Sequence, residues 1–348
     1  MSPEALFQAR QNYGLRLAAA VTIGLTLEVA RGVILPPLAA VIALQLLAMP
    51  GPAPKAKVVV ALIGVMAGAS LLAYAVAVAT VDYWILYAIG VGLLYLWSFF
   101  LAVRPKTAPL GAMALTMVIV VTALSAASTG VAILLVWELL TSVIVGILLV
   151  FFVHTVFPHR GPAMAAQVPQ WHSVEVASLR AILATAIILP LHLYMTSSGV
   201  AAMVVLITVA TMLRQPGLAD STRYGINYAI GNLIGGLLAA FAITLVYARD
   251  EFLVFVTVIL ACSLFMSRRL ESAKGHAQVL FPGYVAFALL FGLVFSPLTQ
   301  GSDVAYLQRV TQIVTAALYA LAAISIFIPP AKRWFKQIQK RKRVDAIL

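Results

Sequence analysis

The chain has 348 residues, of which 63% are hydrophobic and only 10% are charged, and its mean hydropathy is +1.04. This composition excludes a soluble globular domain, because such a domain needs a much larger share of polar residues. The formal net charge of +12 does not indicate nucleic-acid binding, since the basic residues flank apolar runs and no groove-reading motif surrounds them. The single cysteine, Cys262, excludes a disulfide framework and a paired-cysteine metal site.

Apolar runs separated by charged or Pro/Gly-containing loops predict an all-α polytopic membrane protein of about twelve transmembrane helices. A short interfacial helix is expected over residues 1–13, because Ser2 can cap it and Pro3 suits the first helical position. The predicted spans cover, in chain order, about 14–30, 33–49, 58–81, 83–103, 109–124, 131–157, 174–195, 199–213, 224–248, 252–267, 278–295 and 310–328. The stretch 158–173 is the predicted linker between halves, and 331–348 is a basic tail expected to lie on anionic membrane lipid or in solvent.

The distribution of basic residues predicts the topology of these spans. Alternate loops and the two chain ends hold 20 of the 23 lysines and arginines, whereas the opposite side receives only Arg31, Arg249 and Arg309. Because lysine and arginine concentrate in cytoplasmic loops, both termini are predicted to be cytoplasmic.

Two glycine-rich spans indicate an internal duplication. The segment IGVMAGASLLAY matches IGNLIGGLLAAF, which pairs Gly64 with Gly231 and Gly68 with Gly235. Glycines four residues apart share one helix face, so the backbone of another helix can pack closely there. Loop and helix-end residues also match in order: Leu15 and Arg16 with Leu179 and Arg180, Pro50 and Gly51 with Pro216 and Gly217, Asp82 with Asp250, and Pro158 with Pro329. The sequence therefore predicts two parallel six-helix repeats, residues 1–157 and 174–330.

The Arg-Leu start of the first span, the Pro-Gly loop after the second and the IGNLIGGLL helix together resemble the fusaric acid resistance and aromatic acid exporter (FUSC-type) superfamily. The resemblance covers essentially the whole membrane portion. Better-known members carry large cytoplasmic domains after their six-span blocks, so this chain is similar to a short branch without them. The resemblance implies export of aromatic or other organic acids across a bacterial inner membrane, together with a periplasmic adaptor protein. Whether the chain also pairs with copies of itself in a homo-oligomer is left open by the sequence.

Charged residues inside the spans are the first candidates for a functional site. Glu138 and Arg309 become equivalent when Pro158 is aligned with Pro329, so opposite charges could meet near the repeat axis. An ionised carboxylate in apolar sequence is costly, and a glutamate that alternates between a proton and an arginine would couple transport to protons. A permanent structural ion pair, or an interfacial glutamate, is the equally weighted alternative.

A second charge pair is predicted on the first span. Glu28 and Arg31 lie three residues apart, so they can pair as neighbours on one helix face. We expect this pair at the periplasmic boundary, where a surface ion pair contributes little stability.

The second and eighth spans are short, occupy corresponding places in the repeats and begin at chain breakers, which is typical of helices along a substrate path. Their N-terminal N–H groups favour an anion. Ordinary short, tilted spans are the alternative explanation. Asn232 lies between packing glycines, where an interhelical hydrogen bond is the favoured role over substrate binding. The polar residues assigned to this path, including two histidines as proton relays, are Gln45, Thr208, Thr211, Asn232, His154 and His192.

These residues support two main functional hypotheses. No phosphate-binding GxxxxGK[ST] loop is present, and no histidines have metal-ligand spacing with a carboxylate, so no nucleotide, metal or other cofactor is expected. The first hypothesis is a secondary, proton-coupled exporter of small organic anions that works by rocking of the two halves. The second is a non-transporting scaffold of an envelope complex, which should tolerate neutralisation of Glu138 and Arg309 together. A membrane enzyme would need a convergent nucleophile and base, and the sequence has no such cluster.

Overall fold

The computed structural model describes residues 3–48, 51–104, 107–127, 129–159, 174–195, 200–214, 221–249, 251–272 and 277–297, together with Tyr319 and Ala322. Within these ranges the chain is helical apart from short turns and loops, with no strand. The helices are α1 (Pro3–Ala30), α2 (Leu38–Leu47), α3 (Ala56–Thr80), α4 (Trp84–Val103), α5 (Ala108–Ala127), α6 (Thr129–Val156), α7 (Val174–Tyr194), α8 (Val200–Leu213), α9 (Ser221–Ala248), α10 (Phe252–Ser272) and α11 (Ala277–Val294).

Eight of the described helices are long and apolar enough to cross a membrane, which confirms an all-α polytopic membrane protein. Helices are the expected elements because a bilayer offers no water to hydrogen-bond the backbone, so each span must satisfy its own N–H and C=O groups. Helix α2 is shorter, with 10 residues, as the sequence predicts. The twelfth predicted span, apart from Tyr319 and Ala322, lies outside the described residues, as do residues 160–173 of the linker and the basic tail.

The first helix differs from the prediction. Residues 3–30 form one continuous α-helix, so the expectation of a separate interfacial helix over 1–13 is wrong. No proline follows Pro3 in this stretch, and nothing else removes a backbone donor from the hydrogen-bond ladder.

The described residues belong to two compact units, and each unit takes segments from both predicted repeats. Unit 1 comprises the described residues of Met1–Gly68, Gly130–Gln167 and Asn227–Thr311. Unit 2 comprises those of Ala69–Thr129, Val168–Ile226 and Gln312–Leu348.

In unit 1, α1 packs against α2, α10 and α11. The α2 backbone at Ala40 lies against Gly24, where a side chain would leave too little room. The Tyr284 hydroxyl of α11 donates a 3.2 Å hydrogen bond to the Leu17 carbonyl. Toward the C-terminal end of both helices, Gly292 lies against Leu25. Helices α1 and α11 therefore run parallel, and α1 is the buried centre of this unit.

In unit 2, α4 packs against α5 and α7, and α8 packs against the same two helices. The α4–α5 hairpin is tight because Gly111 lies directly on the backbone of Leu101 and Ala102. Gly92 of α4 faces Leu189 of α7, near the buried His192.

The two glycine helices behave differently. A Cβ at Gly231 or Gly235 would overlap the carbonyl oxygens of Val279 and Gly283 on α11, which confirms the predicted close backbone packing on α9. By contrast, positions Gly64 and Gly68 of α3 are exposed and have no neighbouring atom within 4 Å of a built Cβ. Glycine spacing permits close approach, but it does not supply the neighbouring helix.

We expect the substitution Gly235→Ala to destabilise the protein by about 1–3 kcal/mol, because the new methyl group overlaps α11. Its sequence counterpart, Gly68→Ala, is the matched control, and it should be neutral or stabilise the helix by up to about 1 kcal/mol. Thermal unfolding in detergent, followed by circular dichroism, measures both variants. Equal effects of the two substitutions would contradict this packing.

Candidate functional site

Polar groups converge at the C-terminal end of α1 in unit 1. We define the carboxylate cluster as Glu28, Arg31, Glu138, Ser142 and the Ile34 backbone N–H. The chain turns sharply after α1 because Gly32 has a φ of 63°, a conformation that other residues rarely adopt. Arg31 still follows the helical path, with its N–H bonded to the Leu27 carbonyl, so it lies beside Glu28, and the turn at Gly32 leads the chain toward α2.

Glu28 is the buried member of the cluster, with an exposed fraction of 0%. Its Oε1 accepts a 2.9 Å hydrogen bond from Arg31 Nη1, and its Oε2 accepts one of 3.0 Å from Ser142 Oγ on α6. The predicted Glu28–Arg31 pair is confirmed. The expectation of a surface pair is wrong, because Ser142 of α6 contacts the buried carboxylate and only Arg31, with its side chain 36% exposed, reaches the surface.

Glu138 lies half-buried in the first half of α6. Its Oε2 accepts a 2.7 Å hydrogen bond from the Ile34 backbone N–H, and no other side-chain contact of this carboxylate is found among the described residues. Arg31 is close enough to interact electrostatically with both carboxylates. Arg309, the expected partner of Glu138, lies outside the described residues, so that pair stays a prediction.

The charge balance of the cluster is one guanidinium for two carboxylates. Helix α10 runs antiparallel to α1, since Glu271 near its end lies against Gly14, so Arg249 and Glu251 lie toward the same end of the unit. The sequences of α2 and α11 contain no charged residue. With both carboxylates ionised, Glu28, Arg31 and Glu138 carry one excess negative charge, which a proton would remove.

Among the described residues there is no group of three or more His, Cys, Asp or Glu that could hold a metal ion.

The other predicted residues of unit 1 lie away from this cluster. His154 contacts the carbonyl oxygens of Val150 at 2.7 Å and Gly51 at 3.3 Å, and it follows Glu138 on α6 by about 24 Å of helix. Asn232 is buried and donates a 2.9 Å hydrogen bond to the Tyr228 carbonyl of its own helix. Gln45 is half-buried on α2. The structure does not gather these three residues into one path within the unit.

In unit 2, the predicted relay residue His192 is buried between two tyrosines of α4. The Tyr95 hydroxyl lies 2.8 Å from Nδ1 and the Tyr87 hydroxyl 2.9 Å from Nε2. Tyr87 donates to the Thr122 carbonyl at 3.2 Å. In the assignment that satisfies every group, Tyr95 donates to Nδ1 and the Nε2–H donates to Tyr87. Both ring nitrogens of a neutral imidazole are therefore occupied.

The predicted α8 threonines also lie in unit 2. Thr211 is half-buried and donates a 2.8 Å hydrogen bond to the Ile207 carbonyl of its own helix. Thr208 is buried.

Sequence reasoning missed the partners that complete both polar groups. Ser142 follows Glu138 by four residues, so their shared helix face was a usable signal. Nothing in the sequence links Tyr87 and Tyr95 to His192, because the contact depends on the packing of α4 against α7.

No family model matches the chain, and no curated protein or solved structure matches it either. The FUSC-type resemblance therefore stays an expectation.

We expect Ser142→Ala to lower the free energy of unfolding by about 1–3 kcal/mol, because buried Glu28 loses a hydrogen-bond donor. The cost should shrink in a Glu28→Gln background, where the carboxylate charge is absent. Thr155→Ala is the control, since this exposed hydroxyl of the same helix bonds only its own turn. Chemical unfolding in detergent gives the four values of the cycle, and an unchanged cost in the Glu28→Gln background would contradict the assignment.

Tyr95→Phe should destabilise the protein by about 1–3 kcal/mol, because it leaves His192 Nδ1 without its donor in a buried site. Tyr83→Phe, at an exposed tyrosine just before α4, should change stability far less. Thermal unfolding of both variants checks this difference. Similar stabilities would show that the histidine network contributes little to folding.

Proposed function

We propose that the chain is a secondary, proton-coupled exporter of small organic acids, aromatic ones among them, in a bacterial inner membrane. In this proposal it is a FUSC-type protein that works with a periplasmic adaptor. The carboxylate cluster is the observation that carries the proposal, because ionisable groups inside membrane spans are rare and usually functional. Two carboxylates that share one arginine are suited to gain and lose a proton.

The contacts of Glu138 suggest how a proton would act on the helices. Its carboxylate accepts the Ile34 N–H at 2.7 Å, and Ile34 lies in the loop between α1 and α2. Protonation of Glu138 removes the charge that strengthens this bond and leaves Glu28 as the charged carboxylate of the cluster that attracts Arg31. When Glu138 loses the proton, its carboxylate again attracts both the Ile34 N–H and Arg31. The charge state of Glu138 is thereby linked to the position of the α1–α2 loop.

The packing inside each unit supports the duplicated architecture that alternating access requires. Under the predicted pairing of repeats, the α1 contacts with α2 and α10 correspond to the α7 contacts with α8 and α4. The α10–α11 and α2–α11 contacts correspond likewise to α4–α5 and α8–α5. At the offset that pairs Arg16 with Arg180, Glu28 pairs with His192, and all four are buried. Buried polar residues at corresponding helix positions of the two units suit a rocking transporter.

A non-transporting scaffold is the second candidate, and one observation favours it. Both oxygens of Glu28 are hydrogen-bonded, and Glu138 accepts a hydrogen bond from a backbone N–H, so the cluster also connects α1 and the loop after it to α6. A scaffold needs these structural contacts but no change in the protonation of the carboxylates.

We expect bacterial cells depleted of other exporters to expel aromatic carboxylates when they produce the native chain, and to do so faster in a more acidic external medium. Glu138→Gln should abolish the acid stimulation and reduce efflux toward that of cells lacking the chain, because the amide cannot exchange a proton. Glu251→Gln is the matched control, since this carboxylate is exposed near the same end of unit 1.

The efflux measurement separates the two candidates. Equal efflux by the native chain and the Glu138→Gln variant would overturn proton coupling through this residue. No efflux of any carboxylate, with normal membrane insertion and an adaptor supplied, would favour the scaffold.

A further inference from the structure

Arg16 is a buried cation in the middle of α1, near the start of the predicted first span and on the side predicted to face the cytoplasm. Its exposed fraction is 1%, although it is one of the largest side chains in the protein. Its Nη1 donates to the Gly51 carbonyl at 3.2 Å and its Nε to the Asn12 carbonyl at 3.4 Å. The remaining nitrogen, Nη2, is buried and has no hydrogen-bond partner among the residues that the structure describes.

The partners of Arg16 are neutral. Arg16 forms no ion pair with any carboxylate in the described part of the chain. Carbonyl oxygens satisfy individual N–H groups, but they do not balance the charge, and an uncompensated buried charge is strongly unfavourable. A guanidinium binds the two oxygens of a carboxylate as a fork through two of its nitrogens, and Nη2 of Arg16 has no partner among the described residues.

The wall around Arg16 is built from three segments of unit 1. The Tyr13 ring lies 5.9 Å from the guanidinium carbon, and the Tyr13 hydroxyl donates to the Ala48 carbonyl at 3.2 Å. The His154 Nε2 lies 3.3 Å from the same Gly51 carbonyl that Arg16 bonds. A ligand at Nη2 would therefore meet a positive fork beside an aromatic ring, which favours an aromatic acid over an inorganic anion.

The matching helix position in unit 2 is also a buried arginine, Arg180. A buried arginine at the same place in both repeats is unexpected for residues that only set topology, because topology charges remain in water. Lipid headgroups stay at the membrane surface, whereas Arg16 is enclosed by protein.

We propose that Arg16 is the substrate-binding residue for the carboxylate of an organic, preferably aromatic, anion near the middle of α1, on the side predicted to face the cytoplasm. This inference rests on the proposed export function, but binding can be measured without transport. It assigns the recognition of the anion to the middle of α1 and the exchange of the proton to its C-terminal end.

The test is isothermal titration of the full-length protein in phosphatidylcholine nanodiscs with benzoate, and with benzamide as the neutral analogue of the same shape. The native protein should bind benzoate in preference to benzamide. Arg16→Gln should weaken benzoate binding by about tenfold or more and leave benzamide unchanged, because only the charge-assisted contact is lost. Arg16→Lys, which keeps the charge but not the fork, should fall between them. Arg10→Gln, at an exposed arginine of the same helix, should bind like the native protein.

Several results would overturn the inference. These are equal binding of benzoate and benzamide, no benzoate binding at all, or an Arg16→Gln variant with native affinity. If Arg16→Gln loses its helical circular dichroism signal, the benzoate affinity of Arg16→Lys is the deciding measurement. Native benzoate affinity in Arg16→Lys would show that the guanidinium fork is not needed for binding. Loss of benzoate binding in phosphatidylglycerol nanodiscs would assign the site to a lipid headgroup instead. Arg16-dependent binding without cellular efflux would retain this site while rejecting the exporter.

Discussion

The ion pair between buried Glu28 and Arg31 is the interaction on which the end of unit 1 depends. Apolar helix contacts in a membrane have little directional preference, so polar groups fix which residues face each other. Glu28 takes one donor from the turn after α1 and one from α6, and Glu138 returns a contact from α6 to Ile34. Ser296, after α11, donates to the Ile34 carbonyl at 2.6 Å. Four segments are thereby joined around two carboxylates.

The middle of the same helix has a comparable set of contacts around a cation. Arg16, Tyr13 and Asn12 bind the carbonyl oxygens of Gly51, Ala48 and Pro158, so this part of α1 holds the loop after α2 and the residues after α6. Small residues such as Gly24 allow close packing of α1 between these contacts and the carboxylate cluster. A displacement of α1 would therefore disturb both polar sites together.

Much of the fold follows from the sequence because hydropathy acts locally. Apolar length predicts the spans, breakers predict short α2, and glycine spacing predicts the packing of Gly235. Burial of charge could not be predicted in this way. Spacing pairs Glu28 with Arg31, but Ser142 becomes a neighbour only when α6 packs on α1. Arg16 counts as a topology residue in the sequence, whereas the loop after α2 encloses it. Exposed Gly68 shows the same limit, since a motif describes one helix and not its neighbour.

The enclosure of Arg16 also has an electrical consequence. Arg16 and Glu28 lie about 18 Å apart along α1, a large part of a hydrocarbon core of about 30 Å. Glu28 and Arg31 cancel each other, whereas no carboxylate among the described residues pairs with Arg16, so its positive charge inside the membrane field is uncompensated there. Moving one such charge across the membrane potential involves about 2.3 kcal/mol per 100 mV. An anion held at Arg16 would make α1 electrically neutral, and its movement would then become nearly independent of voltage.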